Sequence, residues 1–391
     1  MWGDIAIAFT LAFLTTFMLT PLTIKLAKKV GAVDSPKDER RINKLEMPRL
    51  GGLAVIAGFI VSVVYLLITM NIEGTANYGI EDCYRKLIGF TLGGLVICSV
   101  CFVDDIKGIP ALVKLAAQII AAFIVVELGG IEIENITIPY FGNIENRIFC
   151  YVLTICWIVG ITNAINLIDG LDGLSTGITL IACISLLIIF SLNGSPMISV
   201  LMITALAGAL VGFLPFNFNP AKTFIGDTGS NFLGYCLSII SILGIAKTYT
   251  AIVIIAPIIV LLLPIFDTIL AIFRRIIKGK SIKAVFQPDA NHLHHKLLKA
   301  GFTQKQAVLL LYGLTAVLGL FTIIFMESGA WKALSFALLV IIIIAVGYKE
   351  FFKQRLLENY NDNEDISKFD ENLSNEKDDN IDEKIKDKKE V

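Results

Sequence analysis

Two aspartates, Asp169 and Asp172, stand three residues apart in NAINLIDGLDGL (163–174), each followed by glycine, directly behind an apolar run long enough for a membrane helix. A charged side chain in a transmembrane segment costs a few kcal/mol or more, so a carboxylate at that boundary marks a site. One DG pair would signal only a turn at a helix end. Asn163, Asn166, Asp169 and Asp172 together instead form a ladder at helical spacing, able to give a helix one wet face.

A second pair, Asp104 and Asp105, closes the third apolar run in CFVDDIKGIP. Adjacent carboxylates at a helix end repel unless a cation or proton is shared, which points to a divalent metal, a cationic partner or a proton-accepting role. Lys107 and Lys114 follow closely and suit phosphate. NFNPAKTFIGDTGS (217–230) sets Asp227 between Gly226 and Thr228-Gly229-Ser230, ahead of another apolar run. Such a turn offers N–H donors for phosphate beside a hard oxygen ligand for magnesium, and it also reads as an ordinary N-cap. All three histidines, His292, His294 and His295, fall in HLHH, after Asp289 and Asn291. No cysteine accompanies them and Lys296 and Lys299 follow, so anion donors fit better than structural zinc. The first polar loop, VDSPKDERRINKLEMPRLGG, supplies Asp34 beside Arg40, Arg41 and Arg49, then Gly51-Gly52.

These motifs are punctuation between long apolar segments. The 391 residues are 55% hydrophobic, above the roughly 45–50% usual for soluble domains, which makes the chain a polytopic membrane protein. Runs of about 20 apolar residues argue for helices rather than the weakly alternating strands of a barrel. They fall at 3–24, 51–70, 87–103, 111–128, 148–165, 176–192, 197–215, 231–246, 251–273, 305–326 and 331–348. The expected fold is therefore all-α, with about eleven transmembrane helices.

Lysine and arginine crowd the loop after the first run and the loop after the ninth. Loops of opposite parity hold little beyond Arg85, Lys86, Arg147 and Lys247. The positive-inside rule then puts the N-terminus outside, the C-terminus in the cytoplasm and every polar motif on the cytoplasmic face. Residues 1–349 form the membrane domain, and 350–391, rich in Asn, Asp, Glu and Lys, read as a disordered cytoplasmic tail. The seven cysteines lie mostly inside apolar runs and suit packing; Cys98-x-x-Cys101 lacks the second pair a metal site would need. A transporter would carry polar residues at mid-membrane in paired repeats, and no such repeat is evident. Nothing suggests a nucleic-acid partner.

Carboxylates, histidines and basic residues at one membrane surface suit phosphoryl transfer between a soluble nucleotide-linked donor and a lipid acceptor. Through VDSP, PRLGG, FVDDIKG, NAINLIDGLDGL, FNFNPAKTFIGDTGS and PDANHLHHKLLKAGFTQKQA, in that order, residues 1–348 resemble the polyprenyl-phosphate N-acetylhexosamine-1-phosphate transferases (glycosyltransferase family 4). Within them, the chain is similar to undecaprenyl-phosphate N-acetylglucosamine-1-phosphate transferases of the WecA/TagO type. The branch using phospho-MurNAc-pentapeptide carries three consecutive histidines where this chain has HLHH, a departure favouring the GlcNAc branch.

The resemblance implies a bacterial inner-membrane enzyme. It would convert UDP-GlcNAc and undecaprenyl phosphate to undecaprenyl-diphospho-GlcNAc and UMP with magnesium, or manganese in its place, in a family whose members often form homodimers. It implies catalytic roles for Asp104, Asp105, Asp227 and His292, with Asp227 the principal metal ligand helped by Asn166. Lys114 would bind the lipid phosphate. Asp169, Asp172 and Asn217 would line the nucleotide side, His292, His294 and His295 would hold the diphosphate or sugar, and Asp34 and Asn166 would also bind substrate.

Overall fold

Buried in hydrocarbon, a backbone must satisfy its own hydrogen bonds, and each apolar run does so as a helix. In this computed structural model the described residues are 2–34, 46–72, 80–133, 136–138, 142–144, 146–245, 251–279 and 292–344. The helices are α1 (Trp2–Val30), α2 (Gly51–Ile72), α3 (Ile80–Lys107), α4 (Ala111–Glu127), α5 (Arg147–Ile168), α6 (Leu174–Leu192), α7 (Met197–Asn217), α8 (Gly226–Ile245), α9 (Ala251–Val260), α10 (Leu262–Gly279), α11 (Leu293–Lys299) and α12 (Gln304–Ser328). A further helix, α13, covers Ala330–Ile344. Among the described residues seven helices, α1, α2, α3, α5, α6, α7 and α12, are long and apolar enough to cross a membrane, so the protein is an all-α polytopic membrane protein.

Two departures from the expected pattern have simple causes. The run 251–273 is not one helix: it breaks after Val260, between Pro257 and Pro264, each of which removes a backbone donor. Two short antiparallel ribbons also occur. One pairs β1 (Val33–Asp34) with β2 (Met47–Pro48); the other pairs β3 (Ile136–Ile138) with β4 (Gly142–Ile144). The first ribbon fixes Asp34 against the segment that leads into α2.

The chain divides into two compact units, Met1–Glu327 and Ser328–Val391. All the motif residues belong to the first unit. The expected tail, 350–391, lies outside the described residues, as do Lys37, Arg40, Arg41, Lys44, Lys247, Asp289 and Asn291.

Helix α8 is central to the first unit, packing against α2, α3, α5, α6 and α7. Its small and polar residues make that crowding feasible, as is usual between membrane helices. Gly229 presses on Gly52 at the start of α2, where no Cβ would fit, and Tyr235 donates to the Phe90 carbonyl of α3 at 2.6 Å. Trp157 of α5 donates to Ser241 at 3.0 Å. Deeper still, Gln118 of α4 donates to Asn231 of α8 at 2.8 Å and is hydrogen-bonded to Asn163 of α5. These contacts tie α3, α4 and α5 to α8, so the first turn of α8 has a fixed surrounding.

Candidate active site

The site starts from backbone pairing. Phe224 N–H donates to the Pro48 carbonyl at 2.8 Å, Gly51 N–H to Phe224 at 3.0 Å and Gly52 N–H to Ile225 at 2.9 Å. The PRLGG and TFIGD segments are thereby zipped together. Gly226 closes the zipper with φ of 73°, in the left-handed region, where an added Cβ would strike the Arg49 carbonyl and the Asp105 carboxylate. Helix α8 therefore begins at one place, with Asp227 in its first turn.

Asp105, at the end of α3, caps that turn. Its carboxylate accepts from Asp227 N–H at 2.8 Å, Thr228 N–H at 2.9 Å and the Thr228 hydroxyl at 2.6 Å, and its side chain is fully buried. A negative group at a helix N-terminus answers both the unpaired donors and the helix dipole. Asp104 turns elsewhere, accepting from Lys114 Nζ at 2.7 Å and from the Ile109 N–H. Lys114 also reaches Asp227 Oδ1 at 3.4 Å, while Arg49 Nη2 stands 3.3 Å from Asp227 Oδ2 and Arg49 Nε 3.9 Å from Asp105. Repulsion between the adjacent aspartates is thus relieved by separate partners: a helix start for one, a lysine for the other.

In front of Asp227 opens a cavity of about 360 Å³ whose lining includes Asp34, Arg49, Asn166, Asp169, Asp172, Asn217, Asp227, His295 and Gln304. Asp104, Asp105 and Lys114 connect to Asp227 without lining it.

The ladder at 163–172 is not continuous, because α5 ends at Ile168. Its members disperse. Asn163 joins Gln118, and Asn166 accepts from Ser230 of α8 at 2.8 Å. Asp169 accepts from Ser175 at 2.6 Å; Asp172 accepts from Asn219 at 2.9 Å and from Ala221 N–H at 3.2 Å. Burial, reinforced by the charges of Asp227 and Asp105, pushes the Asp169 carboxyl up to about 7. Asn217 is engaged at both ends, accepting from Thr176 at 2.6 Å and donating to the Thr223 carbonyl at 3.0 Å, so it shapes the turn ahead of Asp227.

The three histidines also part. His292 is held by Asp267 of α10, with Nδ1 at 2.8 Å, and the same carboxylate accepts from Leu293 N–H at 2.9 Å. His294 is buried against Gly170, and burial together with His295 and His292 pushes its imidazole down to about 3, so it is neutral at physiological pH. Only His295 of the three lines the cavity. Asp267 engages His292 through Nδ1 alone, and His294 packs against the Gly170 backbone.

Arg49 stands in the sequence only as one basic residue of the first polar loop, Gln304 falls in the KAGFTQKQA stretch after the histidines, and Asp267 belongs to none of the motifs. Asp267, a lone carboxylate inside LLPIFDTIL, carried the signal that could have exposed it.

Could these residues hold magnesium? Among the described residues no three His, Cys, Asp or Glu side chains lie together as a ready-made metal cage. Magnesium, however, is commonly bound through one or two carboxylates plus substrate phosphates, and Asp227 and Asn166 present hard oxygen donors to the same cavity. The donor set fits an ion that arrives with a diphosphate.

Residues 87–245 match the family model described as glycosyl transferase family 4. The chain is 36% identical over 343 residues to a probable undecaprenyl-phosphate N-acetylglucosaminyl 1-phosphate transferase of Bacillus subtilis, covering 88% of this chain and 90% of that one. It is 33% identical to a decaprenyl-phosphate N-acetylglucosaminephosphotransferase of Mycobacterium leprae, covering 79% and 80%. Similarity to a phospho-N-acetylmuramoyl-pentapeptide-transferase of Staphylococcus epidermidis is 34% over 60% of this chain and 74% of that one. The matched region carries the Asp104–Asp105–Lys114–Asp227 cluster and Asn166, and the likeness to whole relatives runs nearly end to end: the chain belongs to glycosyl transferase family 4.

Proposed function

We propose that the protein transfers GlcNAc-1-phosphate from UDP-GlcNAc to undecaprenyl phosphate, releasing UMP, as a magnesium-dependent enzyme of the bacterial inner membrane. The carrying observation is the convergence of Asp104, Asp105, Asp227, Lys114 and Arg49 at the start of α8, beside a polar cavity formed where membrane helices end. The roughly eleven spans, the outward N-terminus and the cytoplasmic placement of the cavity belong to this reading.

In the reaction an oxygen of the lipid phosphate forms a bond to the sugar-bearing phosphorus of UDP-GlcNAc. The bond from that phosphorus to the bridging oxygen breaks, and its electron pair leaves with UMP. Two anions must approach, so the chain's task is charge compensation and alignment. Lys114 and Arg49, which neutralise Asp227 in the resting protein, supply the positive charge that draws the lipid phosphate in. Asp227 and Asn166 would hold the metal, which would supply positive charge against the diphosphate and the leaving group. Asp105 keeps Asp227 in register, and Asp104 holds Lys114. Asp34, Asp169, Asp172 and His295 bound the donor, with Asn217 supporting that wall.

The pentapeptide-linked donor is the second reading, favoured by the similarity to the Staphylococcus epidermidis protein. Purified protein with undecaprenyl phosphate, magnesium and a panel of UDP-sugars separates the two through UMP release. Release with UDP-GlcNAc and none with UDP-MurNAc-pentapeptide is expected; release with neither overturns the proposal.

A further inference from the structure

The loops of opposite parity carry few basic residues, yet three of them meet. Arg85 and Lys86 at the start of α3 and Arg147 at the start of α5 line one cavity of about 320 Å³, together with Glu127, Glu132 and Tyr151. Along α3 Arg85 is 19 residues from Asp104, and along α5 Arg147 is 19 residues from Asn166. At 1.5 Å per residue each separation is about 29 Å, close to the thickness of a bilayer's hydrocarbon core. This cavity therefore opens at the membrane surface opposite the candidate active site.

Its walls are organised. Arg85 donates from Nε to the Leu128 carbonyl at 3.1 Å and from Nη2 to the Glu127 carbonyl at 3.4 Å, closing the C-terminal end of α4. Its guanidinium lies over Gly130, whose φ of 62° and missing Cβ leave the space for it. The Tyr151 hydroxyl donates to Glu127 at 2.8 Å, engaging one of the two carboxylates. Each cation is also flanked along its own helix by apolar side chains on the outer surface: Tyr84 and Ile88 on α3, Ile148 and Val152 on α5. Positive groups in a polar recess, bordered by side chains that face lipid, match an amphiphile with an anionic head and apolar tails.

We propose that this cavity binds the phosphate-bearing headgroup of an anionic phospholipid from the leaflet opposite the active site. Lys86 and Arg147 contribute the charge, and Arg85 supplies a fixed wall. The lipid's chains lie against the exposed apolar faces of α3 and α5.

The experiment is native mass spectrometry of the full chain released from nanodiscs of phosphatidylglycerol or of phosphatidylcholine. The double variant Lys86→Gln/Arg147→Gln spares the Arg85 contacts to α4 and is expected to retain about 30-fold less phosphatidylglycerol than wild type. Its unfolding midpoint and UMP release should match wild type, and Lys86→Arg/Arg147→Lys should restore retention. Should the double variant fold poorly, Lys86→Gln alone, with about a fivefold loss expected, carries the same test. Equal retention by variant and wild type, equal retention of phosphatidylcholine, or displacement of the lipid by glycerol-1-phosphate would each overturn the proposal, the last by revealing a site for soluble phosphate.

Discussion

Replacing Asp105 with asparagine separates a positioning carboxylate from a reacting one. Both of its oxygens are occupied by three donors of the first turn of α8, and the side chain is shut away from solvent. The amide keeps the shape but loses the charge and turns an N–H₂ toward an N–H donor. Hydrogen bonds to a charged group are worth about 1.5–3 kcal/mol each, and an asparagine oxygen can still accept part of the set. A net loss of about 2–3 kcal/mol is expected, felt as an unfolding midpoint lowered by several degrees in detergent. If Asp227 drifts with its helix start, kcat/KM for UMP release should fall by about 30- to 100-fold. Thr228→Val, which removes one of the three donors, should give a smaller effect in the same direction, about 1 kcal/mol. An Asp105→Asn protein with an unchanged midpoint and abolished turnover would refute the capping role and return Asp105 to direct chemistry.

Asp227→Asn should lose nearly all transfer, and raising magnesium should not recover it; near-normal turnover at saturating magnesium would sink the metal assignment. Lys114→Ala should raise the KM for undecaprenyl phosphate more than that for UDP-GlcNAc, measured by UMP release, and equal effects on both would remove its lipid-side role. Asp267→Asn and His292→Ala should reduce activity to a similar extent, with the double variant little worse than either, because both disrupt the His292–Asp267 contact; additive losses would show two separate jobs. The Asp169 carboxyl, raised to about 7 when folded, stabilises the protein in its neutral form at low pH, and that contribution is lost as pH rises from the unfolded aspartate value of about 3.9 through 7. Without divalent cations, wild type should therefore lose stability between about pH 4 and 7 relative to Asp169→Asn, and parallel melting curves across that range would contradict it.

Much of this protein is legible from its residues. A bilayer allows few backbone solutions, so composition and run length dictate membrane helices, and the apolar runs appear as helices along the chain. The prolines in PIIVLLLPIFDTIL also foreshadow the break between α9 and α10, although run length alone joins them. The clustering of aspartates, asparagines and histidines at run ends marks the candidate site, because such groups are costly to keep at a membrane boundary without use.

What sequence could not apportion is which oxygen faces which donor. Asp104 and Asp105 are neighbours of identical chemistry, yet one binds a lysine ten residues on and the other caps a helix more than a hundred residues away. NAINLIDGLDGL looked like one polar face until the end of α5 at Ile168 sent its members to four separate partners. HLHH looked like one donor cluster until Asp267, in a different helix, took His292 and left His295 at the cavity. Types and spacing along a chain fix what a residue can do; long-range hydrogen bonds and burial fix which of those things it is free to do. The sequence therefore determined the membrane helices and the identities of the polar groups at their ends, while the tertiary structure decided which of those groups remain turned toward a ligand.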